Sequence, residues 1–406
     1  MANSDSLEHT KSPLMPDVGV LAVVPDEWDD VWQPRHHIMI RLAKYFNIVW
    51  FGPMRDRQAL WKASKKSQLD SPAPGFEIYA QDRWLPVAYR PKWLVKSASR
   101  LRLWRAKSIL RAAGVKRTVL YMWRPEFVAM LDDADYDSSA YHIDDEYTFS
   151  PTEQPISSDE YELISRADQV FMHSPALLRK KGHINSKTAF IPNGVDFHAY
   201  SSCDVEADDI AAIPHPRIGY VGRIKPQLDL QLLLELSQIH SDLSFVLVGP
   251  LVSTSTIEDE IRSLQNQQNV YFLGNKPVGT LPTYNCFFDV CMLCYRMDDY
   301  TKFIYPMKVH EYLATGLPVV GSPIESLLEF ADTISLAQTR EEWSAALLKS
   351  LSPEMNTTEM IKHRQSVARR HDWDVLALNV AVKMCNELGP SYSKRLNDFL
   401  QSSTFV

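Results

Sequence analysis

The sequence predicts an α/β protein built from two doubly wound, Rossmann-like domains that face each other across a cleft. Three observations carry that expectation. The chain has 406 residues, more than one hydrophobic core usually serves. Short β-rich runs alternate with helical patterns in two successive series, the rhythm of parallel strands joined by crossover helices. A charged, proline-bearing stretch from Ser201 to Pro216 separates the two series.

Residues 1–16 are polar and expected to be a disordered tail. The first domain, 17–200, offers "VGVLAVV", "NIVWFG", "TVLYMW", "SAYHID", "DQVFMHS" and "TAFIP" as strands and closes with "IPNGVDFHAY". Residues 201–216 read as a linker. The second domain, 217–374, offers "RIGYVGR", "SFVLVGP", "VYFLG", "FDVCML" and "LPVVG", with helices such as "DLQLLLELSQIH" between them. The closing helical pattern, 375–406, is expected to pack back on the first domain. Open sheets of this kind bind ligands at the carboxyl ends of their strands, which places a site in the cleft.

Composition narrows the function. The 45% hydrophobic and 11% aromatic content belongs to a globular enzyme. A net charge of -7 and a pI near 6.0 give no reason to expect a nucleic-acid partner. The five cysteines have no paired spacing and predict free thiols in a reducing cytosol. "CMLC" has zinc-knuckle spacing, but it lies in an apolar run and reads as buried thiols, so no metal site is expected. No stretch reaches the roughly 20 apolar residues of a membrane span. Any membrane contact is therefore made from the surface.

The most informative stretch is "YPMKVHEYLATGLPVV", Tyr305 to Val320. Pro306 suits the start of a short helix and Gly316 its end, so Lys308 and Glu311 share one face of the opening turns. An ammonium at a helix start, added to free N–H groups and the positive dipole end, makes an anion site. Glu311, one turn on, suits a sugar's vicinal hydroxyls. Gly222 and Arg223 end the strand of "IGYVGRI", where a glycine lets a ligand approach and an arginine offers forked donors to phosphate. Gly249 ends the next strand in "VLVGP". A local Lys–Glu pair and a carbonyl-capping arginine are the plain structural alternatives.

Taken in order, "IPNGVD", "YVGR", "FVLVGP", "VYFLG" and "KVHEYLATGLPVVGSP" resemble the nucleotide-sugar-dependent glycosyltransferases of GT-B fold, family 4-like. The likeness runs from about Asp17 to Leu388. It is closer still to a subgroup with P-x-K-x-x-E-Y-L-A, and is similar to membrane glucuronosyltransferases of the xanthan type. The resemblance implies that Arg223 and Lys308 neutralise a donor diphosphate, that Glu311 binds ribose, and that Gly222, Gly249 and Tyr305 complete the donor pocket. Phe303 stands where many relatives carry an acid. Lys225 is placed to replace a lysine usual after the arginine, and "VVPDEWDDVWQPRHH" replaces a glycine-rich first loop. No dissociable cofactor is implied, since a nucleoside-diphosphate sugar is a co-substrate.

An acceptor hydroxyl needs a base. "SAYHIDDEYTFS" puts Asp144 and Asp145 at the carboxyl end of a strand, with Asp144 the first candidate and Asp145 the second. Paired aspartates also cap turns. Trp28, Arg35, His36 and His37, after the first strand, are candidate acceptor contacts, or core and cap residues.

From Arg90 to Arg117 the chain carries many cations and no acid. On a helical wheel Lys96, Arg100, Lys107 and Arg111 share a face, margined by Trp93 and Trp104 on one side and Leu103 and Leu110 on the other. Leu94, Ala98, Leu101 and Ile109 are expected to pack inward. This pattern suits an anionic membrane surface, with "LWKASKKS" at 60–67 adding charge; a solvated basic face is the alternative.

These expectations converge on a metal-independent glycosyltransferase, peripheral on the cytoplasmic face of a membrane. It would transfer sugar to a lipid-linked or saccharide acceptor in polysaccharide synthesis. A nucleotide-sugar epimerase of the same fold and an inactive sugar-nucleotide-binding scaffold are the rivals.

Overall fold

The computed structural model describes residues 13–53, 71–79, 92–150, 152–252 and 256–403. Residues 1–12 of the expected tail and the basic stretch at 60–67 lie outside the described residues. Seven strands, β1 (Met15–Val23), β2 (Phe46–Phe51), β3 (Phe76–Ile78), β4 (Arg117–Met122), β5 (Ser138–Ile143), β6 (Gln169–Met172) and β7 (Thr188–Phe190), form one sheet in the order β3-β2-β1-β4-β5-β6-β7. Six more, β8 (Arg217–Val221), β9 (Ser244–Val248), β10 (Val270–Gly274), β11 (Val290–Leu293), β12 (Val319–Gly321) and β13 (Ser335–Leu336), form a second in the order β10-β9-β8-β11-β12-β13. All pairings within the two sheets are parallel.

Each apolar run quoted above forms a strand. β3 and β13 add to them, too short to show a period of their own. Along β1, Val18, Val20 and Ala22 enter one core while Leu21 and Val23 enter the other. That alternation is what a sheet covered on both faces requires. Strand order reverses between β1 and β4 and again between β8 and β11, so each sheet opens a crevice at its carboxyl edge.

The chain passes between the domains twice, and the two passes are bonded to each other. The Val195 N–H donates to His371 O (3.0 Å), the Trp373 N–H to Val195 O (2.9 Å), and the Phe197 N–H to the Asp372 carboxylate (3.0 Å). Gly194 is required there, because a Cβ would lie 2.4 Å from His371 O. Beyond this junction the helix Trp373–Leu388 lays Trp373, Leu376, Val380 and Met384 into the first-domain core beside the helix Pro34–Leu42.

The segment 201–216 is built into the second domain rather than spanning freely between the two. Tyr200, Ile210 and Ile213 sit in the second core, and Asp209 accepts from Lys276 (2.5 Å) and the Tyr284 hydroxyl (2.9 Å). A disulfide joins Cys203 to Cys286, 83 residues apart, which corrects the expectation of free thiols at these two positions. Folding of the segment onto the helix Pro282–Asn285 brings the pair together, a proximity that sequence spacing does not reveal. Cys291, Cys294 and Cys385 are buried free thiols.

Buried histidines make this fold acid-sensitive. His310 is fully buried, and among the described residues neither ring nitrogen is hydrogen-bonded. It stacks on His371 at 4.1 Å and is flanked by Tyr305 and Phe330. Burial, and then His371 beside it, hold its imidazole well below the ordinary value. Burial likewise depresses His36, His37, His142, His173 and His371. The unfolded chain therefore binds more protons below about pH 6.5, so stability is full above that value and lost as pH falls. Thermal unfolding should show Tm dropping between about pH 7 and about pH 5. His310→Phe keeps the ring packing and should flatten that drop by about one proton, or about 1.4 kcal/mol per pH unit; a uniform shift at every pH would contradict this account.

Candidate active site

The helix Met307–Thr315 starts after Pro306 and ends at Gly316, whose φ of 81° supplies the left-handed turn. Its opening turn abuts the carboxyl end of β8. Gly222 leaves β8 at φ 149°, and a Cβ there would lie 2.0 Å from Lys308 Cε. Gly249, leaving β9 at φ 142°, repeats the arrangement one layer out, with its Cβ position 2.1 Å from Gly222 O. Two bare backbones thus let the lysine lie flat against the sheet edge. The Val221 N–H donates to the Tyr312 hydroxyl (2.8 Å), which locks the helix to the strand.

Lys308 Nζ lies 5.5 Å from the centre of the Tyr220 ring and has no carboxylate within 4.0 Å among the described residues. Burial lowers its pKa to about 8; Lys225 and Arg223 push in the same direction, against Glu311. Arg223 is exposed and Lys225 half-buried; among the described residues neither has an ion-pair partner. Burial lowers the Lys225 pKa, opposed by Asp145 of the first domain and reinforced by Arg223. Glu311 is raised by burial, with Lys308 and the Tyr200 hydroxyl working against that rise. So Arg223, Lys225 and Glu311 all act on Lys308, and among the described residues the three cations make no ion pair. Such a group can hold a diphosphate, with a carboxylate at its rim for hydroxyl groups.

Facing them, the end of β5 presents the two aspartates, and their surroundings differ. Asp144 is held on both oxygens: Arg35 Nη1 donates to Oδ2 (2.5 Å) and the Tyr147 hydroxyl to Oδ1 (2.7 Å), leaving its side chain 7% exposed. Asp145 accepts at Oδ1 from the Glu146 N–H (2.8 Å) and from the hydroxyl of Tyr300 (3.1 Å), a residue of the second domain. Its Oδ2 makes no hydrogen bond among the described residues. Asp145 thus offers an oxygen to an acceptor hydroxyl, whereas both oxygens of Asp144 already accept hydrogen bonds.

Several other expected contacts are corrected. Arg35 is buried between Asp26 and Asp144 and is not free for an acceptor. His36 accepts the Gln33 N–H at Nδ1 (3.1 Å), closing a capping box on the helix Pro34–Leu42, and the His37 ring stacks on Trp373 at 5.1 Å. Trp28 packs against Trp32, Trp50 and Phe76 inside the core. These residues shape the first loop from within. Tyr305 is buried among His173, Phe190 and His310, and its carbonyl accepts from Asn193 (2.6 Å), so it joins domains instead of lining the donor pocket. Phe303, 2% exposed, completes a first-domain core cluster.

The basic helix Lys92–Ala112 is turned from the expected wheel. Leu103 and Leu110 face inward with Ala98 and Ala106, Leu94 is exposed, and Trp104 is 58% exposed. Lys96 and Arg100 pair with Asp133 (3.7 and 2.8 Å), and Lys107 pairs with Asp135. Arg111 is exposed, and the side chain of Trp93 lies outside the described residues. Three residues near the cleft escaped sequence reasoning: Tyr300, Tyr200 and Arg124. Each acts through a hydroxyl or guanidinium delivered by a loop or short helix, where no periodicity marks it.

Residues 215–352 match the family model "Glycosyl transferases group 1". Over 233 residues the chain is 27% identical to "Putative teichuronic acid biosynthesis glycosyltransferase TuaH" of Bacillus subtilis (strain 168), covering 54% of this chain and 57% of that relative. Among solved structures, the chain superposes on HepE of Anabaena in complex with UDP and glucose with TM-score 0.62 at 15% identity, over 90% of this chain and 99% of that one. A trehalose-6-phosphate structure from E. coli bound with UDP-2-fluoro glucose gives TM-score 0.63 at 11% identity, over 89% and 98%. WaaG, a glycosyltransferase involved in lipopolysaccharide biosynthesis, gives 0.55 at 12%, over 90% and 98%. The fold is GT-B.

The buried ammonium makes two outcomes measurable with pyrophosphate as probe. Anion binding favours the charged lysine, so binding should take up a proton, and affinity should weaken as pH rises through about 8. Gly222→Ala, forcing Lys308 aside, should weaken pyrophosphate binding about tenfold or more with the fold intact by circular dichroism. Unchanged affinity in that variant would show that the lysine does not bind at the glycine.

Proposed function

We propose, from a GT-B chain whose second domain is a glycosyl transferases group 1 domain, that this protein is a glycosyltransferase of cell-surface polysaccharide synthesis. It transfers a sugar from a nucleoside-diphosphate donor to a lipid-linked or saccharide acceptor. One observation carries this reading: three cations of the second domain make no ion pair among the described residues, and one of them, Lys225, feels Asp145 of the first domain, whose Oδ2 makes no hydrogen bond among those residues.

As the glycosidic bond breaks, the leaving diphosphate gains charge. Fixed cations from Arg223, Lys225 and Lys308 stabilise that developing charge more than they stabilise the bound donor. Glu311 holds hydroxyls of the donor's ribose. Asp145 takes the proton of the acceptor hydroxyl, and Tyr300 orients it once the domains are together. Neutralisation by side chains leaves no step that calls for a metal, so turnover should survive exhaustive chelation.

The acceptor side favours a membrane. No helix among the described residues is long and apolar enough to cross one. The helix Lys92–Ala112 instead exposes Trp104 and Leu94 beside Lys96, Arg100 and Arg111. An amphipathic surface of this kind docks on anionic lipid, each free cation contributing about 1 kcal/mol. Ion pairs to Asp133 and Asp135 reduce the number of free cations, so the docking is weak and reversible. On this reading the enzyme works from the cytoplasmic face, where a lipid-linked acceptor is presented.

The decisive experiment screens nucleoside-diphosphate sugars by thermal shift, then follows transfer with the donor that binds. Lys308→Ala should lower kcat by about 100- to 1,000-fold. Asp145→Asn should lower it by about 100- to 10,000-fold with donor binding retained. Conversion of the donor with no acceptor present would mark an epimerase, and tight binding without turnover on any acceptor a scaffold. Cosedimentation should be greater with anionic than with neutral vesicles and should fall in Trp104→Ala.

A further inference from the structure

Arg124 is a cation of the cleft's first-domain wall that the site described above leaves unused. It stands two residues beyond the end of β4, which pairs with β5 in the register Met122↔Tyr141, so Arg124 and the two aspartates leave the sheet at neighbouring points of its carboxyl edge. Its guanidinium lies 4.7 Å from the centre of the Tyr147 ring, and that ring is anchored through its hydroxyl to Asp144. The side chain is half-buried, yet among the described residues it makes no hydrogen bond and no ion pair within 4.0 Å. Arg35, by contrast, on the same wall, is buried and ion-paired to both Asp26 and Asp144.

The charges that Arg124 feels are Asp144, Asp145 and Glu126, together with the hydroxyls of Tyr147 and Tyr300. Lys225 in turn feels Asp145 and Arg223 but not Arg124. Asp145 therefore feels a cation of each domain, Lys225 of the second and Arg124 of the first. A partly desolvated guanidinium set against an aromatic ring, with no hydrogen bond from its fork of N–H donors among the described residues, fits a planar or tetrahedral oxyanion.

We propose that Arg124 receives an anionic group of the acceptor, a phosphate or a carboxylate, beside the hydroxyl that faces Asp145. This rests on the glycosyltransferase reading of the cleft and adds the acceptor's chemical class to it. A phosphate would come from a lipid-linked acceptor and a carboxylate from a uronate-bearing saccharide.

Two matched probe pairs separate these sources by equilibrium titration of the full chain saturated with the nucleoside diphosphate that stabilises it. They are decyl diphosphate against decanol, and a uronate disaccharide against its methyl ester. Wild type should bind the charged member of one pair at least about tenfold more tightly, and that pair identifies the source. Arg124→Gln should erase the difference while leaving nucleotide affinity unchanged. Arg124→Lys, which keeps the charge and loses the fork, should retain part of it, and serves where the glutamine variant does not fold. No charged preference in wild type, a preference intact in Arg124→Gln, or an equal loss of nucleotide binding would each overturn the proposal. Because the readout is binding, absence of sugar transfer with the preference intact would count against the transferase reading alone.

Discussion

A positive charge that lies against a sheet edge without a counter-ion organises the second domain. Lys308 is pressed to Gly222, over Tyr220, with no carboxylate within 4.0 Å among the described residues. Burial makes this ammonium costly to hold and lowers its pKa to about 8. The cost becomes selectivity, because only an anion of matching shape relieves it. Gly222 and Gly249 make the position available, the Tyr312 hydroxyl fixes the helix that carries it, and Glu311 sits one turn away.

That pocket is useful only if the opposite wall stays opposite. The paired crossings at Val195 and His371 to Trp373 form the permanent joint, since their backbone bonds are sheltered and Gly194 leaves no slack. Around it, Phe303 inserts into the first-domain core, and Tyr300 reaches Asp145. Further out, Arg179 pairs with Glu325 and Lys302 with Glu153. These outer pairs are solvent-accessible, so each contributes little. The domain contact is thus firm at the joint and lightly held at the mouth.

The first domain uses its own charges differently. Arg35 is consumed in holding Asp26 and Asp144, which stiffens the first loop and leaves Asp145 as the carboxylate with a free oxygen. Inside that loop Trp28, Trp32, His36 and Trp50 pack as an aromatic block, replacing backbone flexibility with side-chain bulk. Buried side chains therefore position this wall, and its working groups are the few that burial leaves unpartnered.

Local pattern alone determined the elements and their order. Apolar runs such as "VGVLAVV" and "SFVLVGP" can only be buried strands, and Pro306 and Gly316 bound the helix that carries Lys308 and Glu311. These signals lie within a few residues of each other, which is why they are legible in a single chain. Partner choice is different, because it depends on which side chains meet across 100 or more residues: Arg35 with Asp144, separated by 109, and Asp145 with Tyr300, by 155. Only the tertiary structure decided which aspartate is free, that Leu103 and Leu110 turn inward on the basic helix, that Cys203 meets Cys286, and that Arg124 is left without an anion. A charge shows its type in sequence, but its availability depends on the neighbours that folding supplies.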